Sequence, residues 1–457
     1  MKIHFVGIGG IGMSALALHE FFNGNEVYGS NIEETERTTY LRKLKIPVFI
    51  PHSEENWFNP DVLVKTPAVR EDNPEVVRAR KENVPVENRL SYFRTILERE
   101  DREEFAVTGT DGKTTTTAMI AHVLKQLNKS PTVFLGGIMG LLEHGNYEEG
   151  RGPIVYELDE SEETFSKFSP NYLIITNARG DHLENYENSI LKYKAAFERI
   201  SKNSDLVITF AEDRLTSHLG DVTFGVRRGM YTLEMRSASR SNQRAIVEKN
   251  GKKYAELKLR IPGFHNVLNA LAVTALFDSL GYDLEEVLKA LEEFPGVQRR
   301  FSISYRDPES NIYVVDDYAH TPEEIKNLLQ TAKEVFENEK VVVIFQPHRY
   351  SRLEREDGNF ARALLLADEV IVTEVYDAFE EKKPNVSGKI IWDSLMNLGK
   401  EAKFVNDLSQ LNDVITPKSN TVFLFVGAGD IIYFSKRFVK ALQSSSSSPS
   451  RVFGSKR

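Results

Sequence analysis

The sequence predicts an α/β protein of more than one domain, in which helices cover mostly parallel sheets. Short apolar runs alternate along the chain with segments whose apolar residues recur at helical spacing, a pattern typical of parallel strands joined by helices. The chain has 457 residues, which is too many for one hydrophobic core, so two or three domains are expected. Glycine-rich turns also lead from a strand towards a helix near Gly7, Gly109 and Gly427.

The composition excludes several classes of protein. A formal net charge of −9 lacks the basic surface that nucleic-acid binding requires, so no nucleic-acid partner is expected. The absence of cysteine excludes disulfides, cysteine zinc sites and thiol catalysis. No apolar run reaches the length of a membrane helix, and the glycine-rich N-terminus lacks the cleavage site of a signal peptide. We therefore expect a cytoplasmic protein without a membrane partner.

The first segment opens with a strand, Ile3 to Val6, and a glycine turn, Gly7 to Ser14. The turn fits G-x-G-x-x-G, which places a pyrophosphate at a helix N-terminus. An NAD site requires an acid at the end of the second strand, where this chain has Asn31. The residues thus favour a nucleotide diphosphate, with NAD and a purely structural turn as alternatives. A charged stretch at residues 98–104 marks the first domain boundary.

The second segment begins with a strand, Phe105 to Val107, that leads into Gly109-Thr110-Asp111-Gly112-Lys113 and a helix. This order is typical of a phosphate-binding loop, in which backbone N–H groups and the helix N-terminus hold the anion. Lys113 would contact the terminal phosphates, and the hydroxyl of Thr114 or Thr115 would bind Mg²⁺. The loop is shortened, since Val107 stands where the full motif has glycine. We predict an ATP or GTP site; the alternative is an ordinary strand-to-helix turn with a surface lysine.

Polar residues follow the next two predicted strands. Pro153 to Leu158 ends in Asp159-Glu160-Ser161, and the strand from Asn171 to Thr176 is followed by His182. Because the carboxyl ends of parallel strands meet at one edge, Glu160 and His182 are expected near Lys113, where they could bind Mg²⁺. The alternative is that both are solvated loop residues. The region from Val222 to Leu259 is read as irregular antiparallel strands.

A long apolar helix then begins near Ile261, and Asn266 and Asn269 could read a base edge or cap this helix. The third segment repeats the alternation, with strands near residues 312–315, 341–345, 369–372 and 422–426. Polar residues again follow its strands, at 316–320 and 346–352. A capping box with proline in its first turn, Thr321 to Glu324, starts a helix. The serine-rich tail, 444–457, is predicted to be disordered.

Together these motifs resemble the Mur ligases over almost the whole chain up to the serine-rich tail. The motifs are FVGIGGIGMSA at 5–15, PAVREDNP at 67–74, GTDGKTT at 109–115, DES at 159–161, TN at 176–177 with DH at 181–182, HN at 265–266, RRF at 299–301, DYAH at 317–320 and FQPHRYSR at 345–352. The family implies an N-terminal Rossmann-like domain for a UDP moiety (1–98), a central P-loop ATPase domain with a mostly parallel sheet (99–297) and a C-terminal Rossmann-like domain (298–443).

The resemblance also implies a reaction and roles for individual residues. ATP and Mg²⁺ would activate the lactyl carboxylate of UDP-N-acetylmuramate as an acyl phosphate, which the amine of L-alanine then attacks. The implied catalytic residues are Lys113, Glu160, His182, His348 and Arg349. The implied metal ligands are Thr114, Thr115, Glu160 and His182. The implied ATP contacts are Gly109, Thr110, Asp111, Gly112, Lys113, Thr114, Thr115, His265, Asn266, Asn269, Arg300, Asp317 and His320. The implied UDP-substrate contacts are Gly7, Gly9, Gly10, Gly12, Met13, Ser14, Asn31, Arg349 and Arg352.

The sequence departs from the family pattern at several positions. Asp111 stands where relatives usually carry histidine, and Arg179 stands where they have glutamate. Asn31 replaces a usual aspartate. Ligases for later steps use a carbamylated lysine where this chain has Phe197, which favours the alanine-adding reaction.

Three other functions and two oligomeric states remain open. A ligase that recycles a tripeptide shares the scaffold, although its N-terminal glycine loop differs. A dehydrogenase is suggested by the first glycine loop alone, and a non-enzymatic nucleotide switch would need only the phosphate loop. The sequence leaves a monomer and a weak homodimer both open.

Overall fold

The computed structural model describes residues 1–180, 182–239, 242–356, 358–378 and 380–446. It contains three sheets, which confirms the predicted α/β class with mostly parallel sheets. The sheets lie within residues 2–88, 104–259 and 302–426, each inside one of the predicted domains. Contacts divide the chain into two compact units: the first ends at Val297, and the second comprises the residues from Gln298 onwards together with Ala238 and Ser239.

The first sheet has five parallel strands in the order β3-β2-β1-β4-β5, which is the Rossmann strand order without a sixth strand. Its strands are β1 (Lys2–Val6), β2 (Glu26–Ser30), β3 (Val48–Phe49), β4 (Val62–Lys65) and β5 (Val86–Asn88). The helices are α1 (Ile11–Phe22), α2 (Glu36–Lys43), α3 (Pro74–Lys81) and α4 (Arg89–Glu100). The glycine turn therefore joins the central strand of this sheet to α1, as the sequence predicts.

The second sheet, in the same compact unit, has ten strands in the order β15-β14-β13-β12-β11-β10-β6-β9-β7-β8. The strands are β6 (Glu104–Thr108), β7 (Thr132–Phe134), β8 (Tyr147–Glu148), β9 (Ile154–Glu157), β10 (Tyr172–Ile175), β11 (Leu206–Phe210), β12 (Val222–Gly225), β13 (Tyr231–Ser237), β14 (Gln243–Lys249) and β15 (Lys252–Leu259). The helices are α5 (Lys113–Gln126), α6 (Ile190–Lys202), α7 (Phe264–Ser279) and α8 (Leu284–Glu292). Short 3₁₀ turns span Glu163–Lys167, Leu183–Tyr186 and Ser217–Leu219.

This sheet corrects one prediction. Strands β13 to β15 are antiparallel, as expected, but β12 pairs in parallel with both β11 and β13. The prediction of antiparallel strands from Val222 onwards is therefore wrong for β12. Its four residues carry no signal of strand direction, which is set by its neighbours in the sheet. Strand β6 lies between β10 and β9, so the loops after all three strands open at one edge.

The second compact unit carries a six-stranded sheet in the order β16-β17-β21-β18-β19-β20, parallel except for the pair β16 and β17. The strands are β16 (Ser302–Asp307), β17 (Ile312–Asp317), β18 (Lys340–Phe345), β19 (Glu369–Thr373), β20 (Ala402–Val405) and β21 (Thr421–Val426). The helices are α9 (Pro322–Val335), α10 (Tyr350–Arg355), α11 (Asn359–Leu364), α12 (Lys389–Asn397), α13 (Leu411–Val414) and α14 (Ile431–Ser446), and a 3₁₀ turn spans Leu408–Gln410.

Two local predictions for this unit, the capping box of α9 and the start of the serine-rich tail, can be compared with the structure. The capping box at the start of α9 is confirmed, since Thr321 accepts from the backbone of Glu324 and Glu324 accepts in return. Helix α14 runs to Ser446, so residues 444–446 of the predicted tail are helical. This corrects the start of the tail, because the helical hydrogen bonds continue into the first serines. The rest of the tail, 447–457, lies outside the described residues.

Candidate functional site

The phosphate loop has a backbone that only glycine adopts readily at two positions. Gly109 has φ of +126° and Gly112 has φ of +81°. A Cβ at Gly109 would lie 2.3 Å from Oγ1 of Thr176, and a Cβ at Gly112 would lie 2.7 Å from Oδ1 of Asn269. Both glycines are thus required by close approach as well as by φ. The loop brings Asn269, one of the predicted ATP contacts, against its last glycine.

Lys113 is the first residue of α5 and is held inside the loop. Its ammonium donates to the carbonyl oxygens of Gly109 (2.6 Å) and Thr110 (3.2 Å) and to Oε2 of Glu160 (2.7 Å). Burial alone would lower the pKa of Lys113, but the carboxylates of Glu160 and Asp159 outweigh it and raise the pKa. Lys113 is therefore a fixed cation at the N-terminus of a helix, the arrangement that attracts phosphate.

Glu160 is the second charged group of this site and is almost completely buried. Burial raises its pKa, and the charge of Asp159 acts in the same direction, while Lys113 opposes both. The hydroxyl of Tyr186 donates to the backbone carbonyl of Glu160 and fixes that part of the chain. The structure therefore joins Glu160 to Lys113, as the positions at neighbouring strand ends predict.

A third acid, Glu157, was not among the predicted site residues. It is the last residue of β9, and its Oε2 accepts a hydrogen bond of 2.8 Å from the hydroxyl of Thr114. Gly136 makes room for it, because a Cβ there would lie 1.4 Å from Oε1 of Glu157. The glycine pair at 136 and 137 is the signal that could have revealed this residue. Thr115, the other predicted hydroxyl ligand, is buried beside Thr114 on α5.

His182 lies in a turn that is attached to the Glu160 segment. Asn185 donates to the carbonyl of Ser161 at 2.7 Å, and Tyr186 contacts Glu160. The imidazole of His182 lies 3.3 Å from the carboxylate of Glu184. The structure thus places His182 near the site through its backbone turn.

The donor set around Lys113 suits Mg²⁺. Thr114, Glu157 and Glu160 present oxygen atoms, which are the ligands this cation prefers. Among the described residues, no group of three or more His, Cys, Asp or Glu side chains is arranged to hold a metal ion by itself.

Asn266 and His265 lie at the start of α7. The side-chain amide of Asn266 is buried and donates to the carbonyl of Pro262 at 2.6 Å, a local backbone contact. His265 is exposed at the first turn of the helix. Of the three residues predicted here, Asn269 is therefore the one that the structure places directly against the phosphate loop.

The N-terminal glycine turn is braced by Asn31. Its Oδ1 accepts from the backbone N–H of Gly9 (3.2 Å), and its amide donates to the carbonyl of Glu33 (2.8 Å). Gly7 has φ of +85°, and Gly10 closes the turn by donating to the Gly7 carbonyl at 3.1 Å. These two hydrogen bonds of the Asn31 side chain thus support the turn.

Met13 and Ser14, two predicted UDP contacts, are buried within α1. The hydroxyl of Ser14 accepts from Nε of Arg37 (3.2 Å) and from the amide of Asn146 (3.0 Å). Asn146 also donates to the carbonyl of Ile11 at 2.6 Å. The side chain of Ser14 therefore attaches the start of α1 to the neighbouring sheet, a role that the sequence motif does not reveal.

Arg89 is a second residue that sequence reasoning missed. A Cβ at Gly12 would lie 2.6 Å from its Nη1, so the guanidinium rests on the first turn of α1. Its Nη2 donates to Glu162 at 2.7 Å, and its charge helps to lower the pKa of Asp159, although burial opposes this. Its buried Nε has no hydrogen-bond partner among the described residues. The chain thus places a cation between the glycine turn and the Glu160 segment.

Polar residues also gather at the strand ends of the second compact unit. The rings of His320 and His348 lie 5.9 Å apart, and Nη1 of Arg352 lies 3.2 Å from Nδ1 of His348. Burial lowers the pKa of both histidines, and nearby cations lower that of His348 further. The carboxylate of Glu324, 3.3 Å from His320, opposes the lowering of the His320 pKa. Arg349 has φ of +71° at the start of α10, where its backbone N–H donates to Tyr376 at 2.9 Å.

Asp317 and Arg300, two predicted ATP contacts, lie beside this histidine pair. The carboxylate of Asp317 accepts from the backbone N–H groups of Phe301 and Ala319, both at 2.7 Å. Burial raises its pKa to about 6, although the charge of Arg300 opposes this. Arg300 lies over the ring of Tyr318 at 5.2 Å. Asp317 thus fixes the local backbone, and Arg300 presents a cation on an aromatic face.

Family models match three consecutive parts of the chain. The models describe the Mur ligase family catalytic domain (residues 2–100), the Mur ligase middle domain (107–277) and the Mur ligase glutamate ligase domain (299–429). Together they cover most of the described residues, including the glycine turn, the phosphate loop and the histidine pair.

Similar proteins cover the whole length of the chain. UDP-N-acetylmuramate–L-alanine ligase of Thermotoga neapolitana is 89% identical over 457 residues, all of both chains. The crystal structure of UDP-N-acetylmuramate-alanine ligase from Thermotoga maritima has a TM-score of 0.91 and 75% identity, covering 97% of this chain and all of that one. The crystal structure of a murein peptide ligase from Psychrobacter arcticus has a TM-score of 0.71 and 21% identity, covering 97% of this chain and 98% of that one. At this identity, the match shows only a shared fold.

Proposed function

This chain belongs to the Mur ligase family, and we propose that it joins L-alanine to the lactyl carboxylate of UDP-N-acetylmuramate at the expense of ATP. The observation that carries the ATP-dependent step is the phosphate loop, in which the partly buried ammonium of Lys113 is held by Glu160. The full-length relatives of high identity that bear this activity in their names support the choice of substrates.

The reaction has two steps that balance without a protein nucleophile. A carboxylate oxygen of the muramate attacks the γ-phosphorus of ATP, and ADP leaves with the electrons of the broken bond. The neutral amine of L-alanine then attacks the acyl carbon, and the tetrahedral intermediate expels inorganic phosphate while the amine loses its proton. The protein's contribution is to position the reactants and stabilise the developing negative charge.

We assign the phosphoryl-transfer step to residues of the central domain. Lys113 stabilises the charge that develops on the γ-phosphate, and the α5 N-terminus adds its N–H groups. When bound with ATP, Mg²⁺ would neutralise phosphate charge. We propose Thr114, Thr115, Glu160 and His182 as its ligands, with Glu157 orienting the Thr114 hydroxyl. Asn269 is the best supported of the base contacts, since it lies against Gly112.

We assign the UDP moiety to the N-terminal glycine turn. The backbone N–H groups at the start of α1 suit a diphosphate, and Arg89 supplies a cation at Gly12. The polar cluster of the second unit is assigned residue by residue. We propose Arg300, Asp317 and His320 as ATP contacts, His348 and Arg349 as catalytic residues, and Arg349 and Arg352 as contacts of the UDP-linked substrate. The recycling of a tripeptide stays an alternative outcome of the test below.

Phe197 bears on which amino acid is added. It is fully buried, and its ring lies 5.1 Å from those of both Phe165 and Tyr193. A carbamylated lysine has no place in this apolar cluster, because an anionic carbamate would be left unsolvated there. The position therefore supports the alanine-adding reaction that the sequence favours.

Two finer inferences accompany this function. We infer a cytoplasmic site of action, where ATP and UDP-linked substrates occur together, and a monomer or weak homodimer without nucleic-acid or membrane partners. Among the described residues, no helix is both long and apolar enough to cross a membrane.

Release of inorganic phosphate tests this proposal. The protein with ATP, Mg²⁺ and UDP-N-acetylmuramate should release phosphate only when L-alanine is added, since the acyl phosphate forms from one substrate and is consumed by the other. Glycine, L-serine and a muropeptide tripeptide are assayed separately. Release that needs the tripeptide would instead identify a recycling ligase, and release from ATP alone would indicate a nucleotide switch.

A further inference from the structure

Two oppositely charged side chains meet at the phosphate loop, and the function described above does not use their pairing. Asp111 stands between the two glycines, two residues before Lys113. Its carboxylate forms an ion pair with the guanidinium of Arg179, which follows β10. The two positions at which the sequence departs from the family pattern near the phosphates are therefore paired with each other.

The pair is not what holds the two loops together. The backbone N–H of Thr110 donates to the carbonyl of Asn177 at 2.9 Å, and that of Asp111 donates to Oδ1 of Asn177 at 3.1 Å. The hydroxyl of Thr176 donates to the carbonyl of Asp111 at 2.6 Å. The backbone N–H of Arg179 donates to Oγ1 of Thr110 at 3.2 Å. None of these bonds uses the side chain of Asp111 or Arg179, so they would remain if either charged group were removed.

The charges of the pair matter because of what the loop binds. A carboxylate within a phosphate loop repels a triphosphate, and the repulsion is strong where the surroundings are partly buried. The side chain of Asp111 is 19% exposed and that of Arg179 is 36% exposed, so water screens them incompletely. The Arg179 guanidinium cancels the charge of Asp111 at the point where the phosphates must approach Lys113.

We propose that Arg179 is a positioning residue of the ATP site, which holds the Asp111 carboxylate and compensates its charge so that the loop accepts a triphosphate. Arg179 acts through Asp111 and does not itself contact the nucleotide. The proposal rests on the proposed function, because it requires ATP to bind at the phosphate loop.

Equilibrium binding of MgATP and MgADP to the full chain, without the other substrates, tests this. Arg179→Ala should weaken MgATP binding about tenfold, because the guanidinium no longer compensates the carboxylate charge of Asp111 near the phosphates. The loss should be smaller for MgADP, which carries one negative charge fewer, and should shrink as salt is raised. The double variant Asp111→Asn/Arg179→Ala should regain most of the affinity, since the repelling charge is gone.

The controls separate charge from structure. Arg236→Ala removes an arginine whose guanidinium lies 2.7 Å from Glu234 on the exposed strand β13, and it should bind nucleotide like the wild type. Thermal unfolding checks that each variant is folded, and Arg179→Gln replaces the alanine variant if that one unfolds.

Two results would overturn the proposal. If the single and double variants bind MgATP equally weakly, Arg179 contacts the nucleotide directly. Wild-type affinity of Arg179→Ala would mean that the pair has no role in binding. Failure of the wild type itself to bind nucleotide would instead count against the proposed function.

Discussion

Replacing Lys113 by alanine should lower the rate of phosphate release by about a thousandfold or more while the protein stays folded. The structure fixes the ammonium of Lys113 at the loop, where it donates hydrogen bonds to two backbone carbonyl oxygens and to the carboxylate of Glu160. Its loss removes the positive charge that faces the γ-phosphate and leaves a buried carboxylate in its place. The measurement is steady-state phosphate release with all three substrates at saturation.

Lys125→Ala is the matched control for this change. Lys125 lies in the last turn of the same helix, α5, where it pairs with Glu148. It should retain activity close to that of the wild type, because the removed charge is at the opposite helix end. Comparable losses in both variants would show that the effect comes from the stability of α5, and would contradict the assignment of Lys113.

Gly109→Ala should reduce the affinity for ATP by about a hundredfold, since backbone strain of about 1–3 kcal/mol adds to a steric clash. The added Cβ would lie 2.3 Å from Oγ1 of Thr176 and 2.6 Å from the carbonyl oxygen of Asn177. A φ of +126° is also unsuitable for alanine. The loop must therefore shift away from β10, and equilibrium nucleotide binding measures the consequence.

Gly140→Ala provides the comparison within the same domain. A Cβ at Gly140 would meet no atom within 4 Å, and its φ is not in the positive region. This variant should bind ATP like the wild type. Unchanged binding by Gly109→Ala would mean that the loop conformation described here is not the one that binds nucleotide.

The sequence predicts the central pair of this site for a clear physical reason. Lys113 follows β6 and Glu160 follows the adjacent strand β9, so the parallel sheet brings their strand ends to one edge. The spacing of apolar runs and the glycine turn are enough to place both residues there. The helix N-terminus at Lys113 follows from the same pattern.

The residues that the sequence did not reveal depend on packing between distant segments. Glu157 belongs to a strand in the sequence pattern, and its role appears only when Gly136 and Thr114 are brought beside it. Arg89 begins a helix of the first domain, and nothing local shows that its guanidinium reaches Gly12 and Glu162.

Two residues that the family resemblance implies as UDP-substrate contacts have structural bonds that the sequence does not show. The amide of Asn31 braces the glycine turn through Gly9. The hydroxyl of Ser14 is bonded to Arg37 and to Asn146, which lies 132 residues away in the chain. The sequence gives the position of such residues along the chain. The partners of their side chains depend on segments that only the folded structure brings together.

The fate of the carboxylate oxygen tests the acyl-phosphate mechanism most directly. UDP-N-acetylmuramate labelled with ¹⁸O in both oxygens of its lactyl carboxylate is incubated with the protein, ATP, Mg²⁺ and L-alanine. The mass of the released inorganic phosphate is then measured. If the carboxylate attacks the γ-phosphorus, each phosphate carries one ¹⁸O and the amide product retains the other. Unlabelled phosphate released together with the amide product would show that water attacks ATP instead, and would contradict the mechanism.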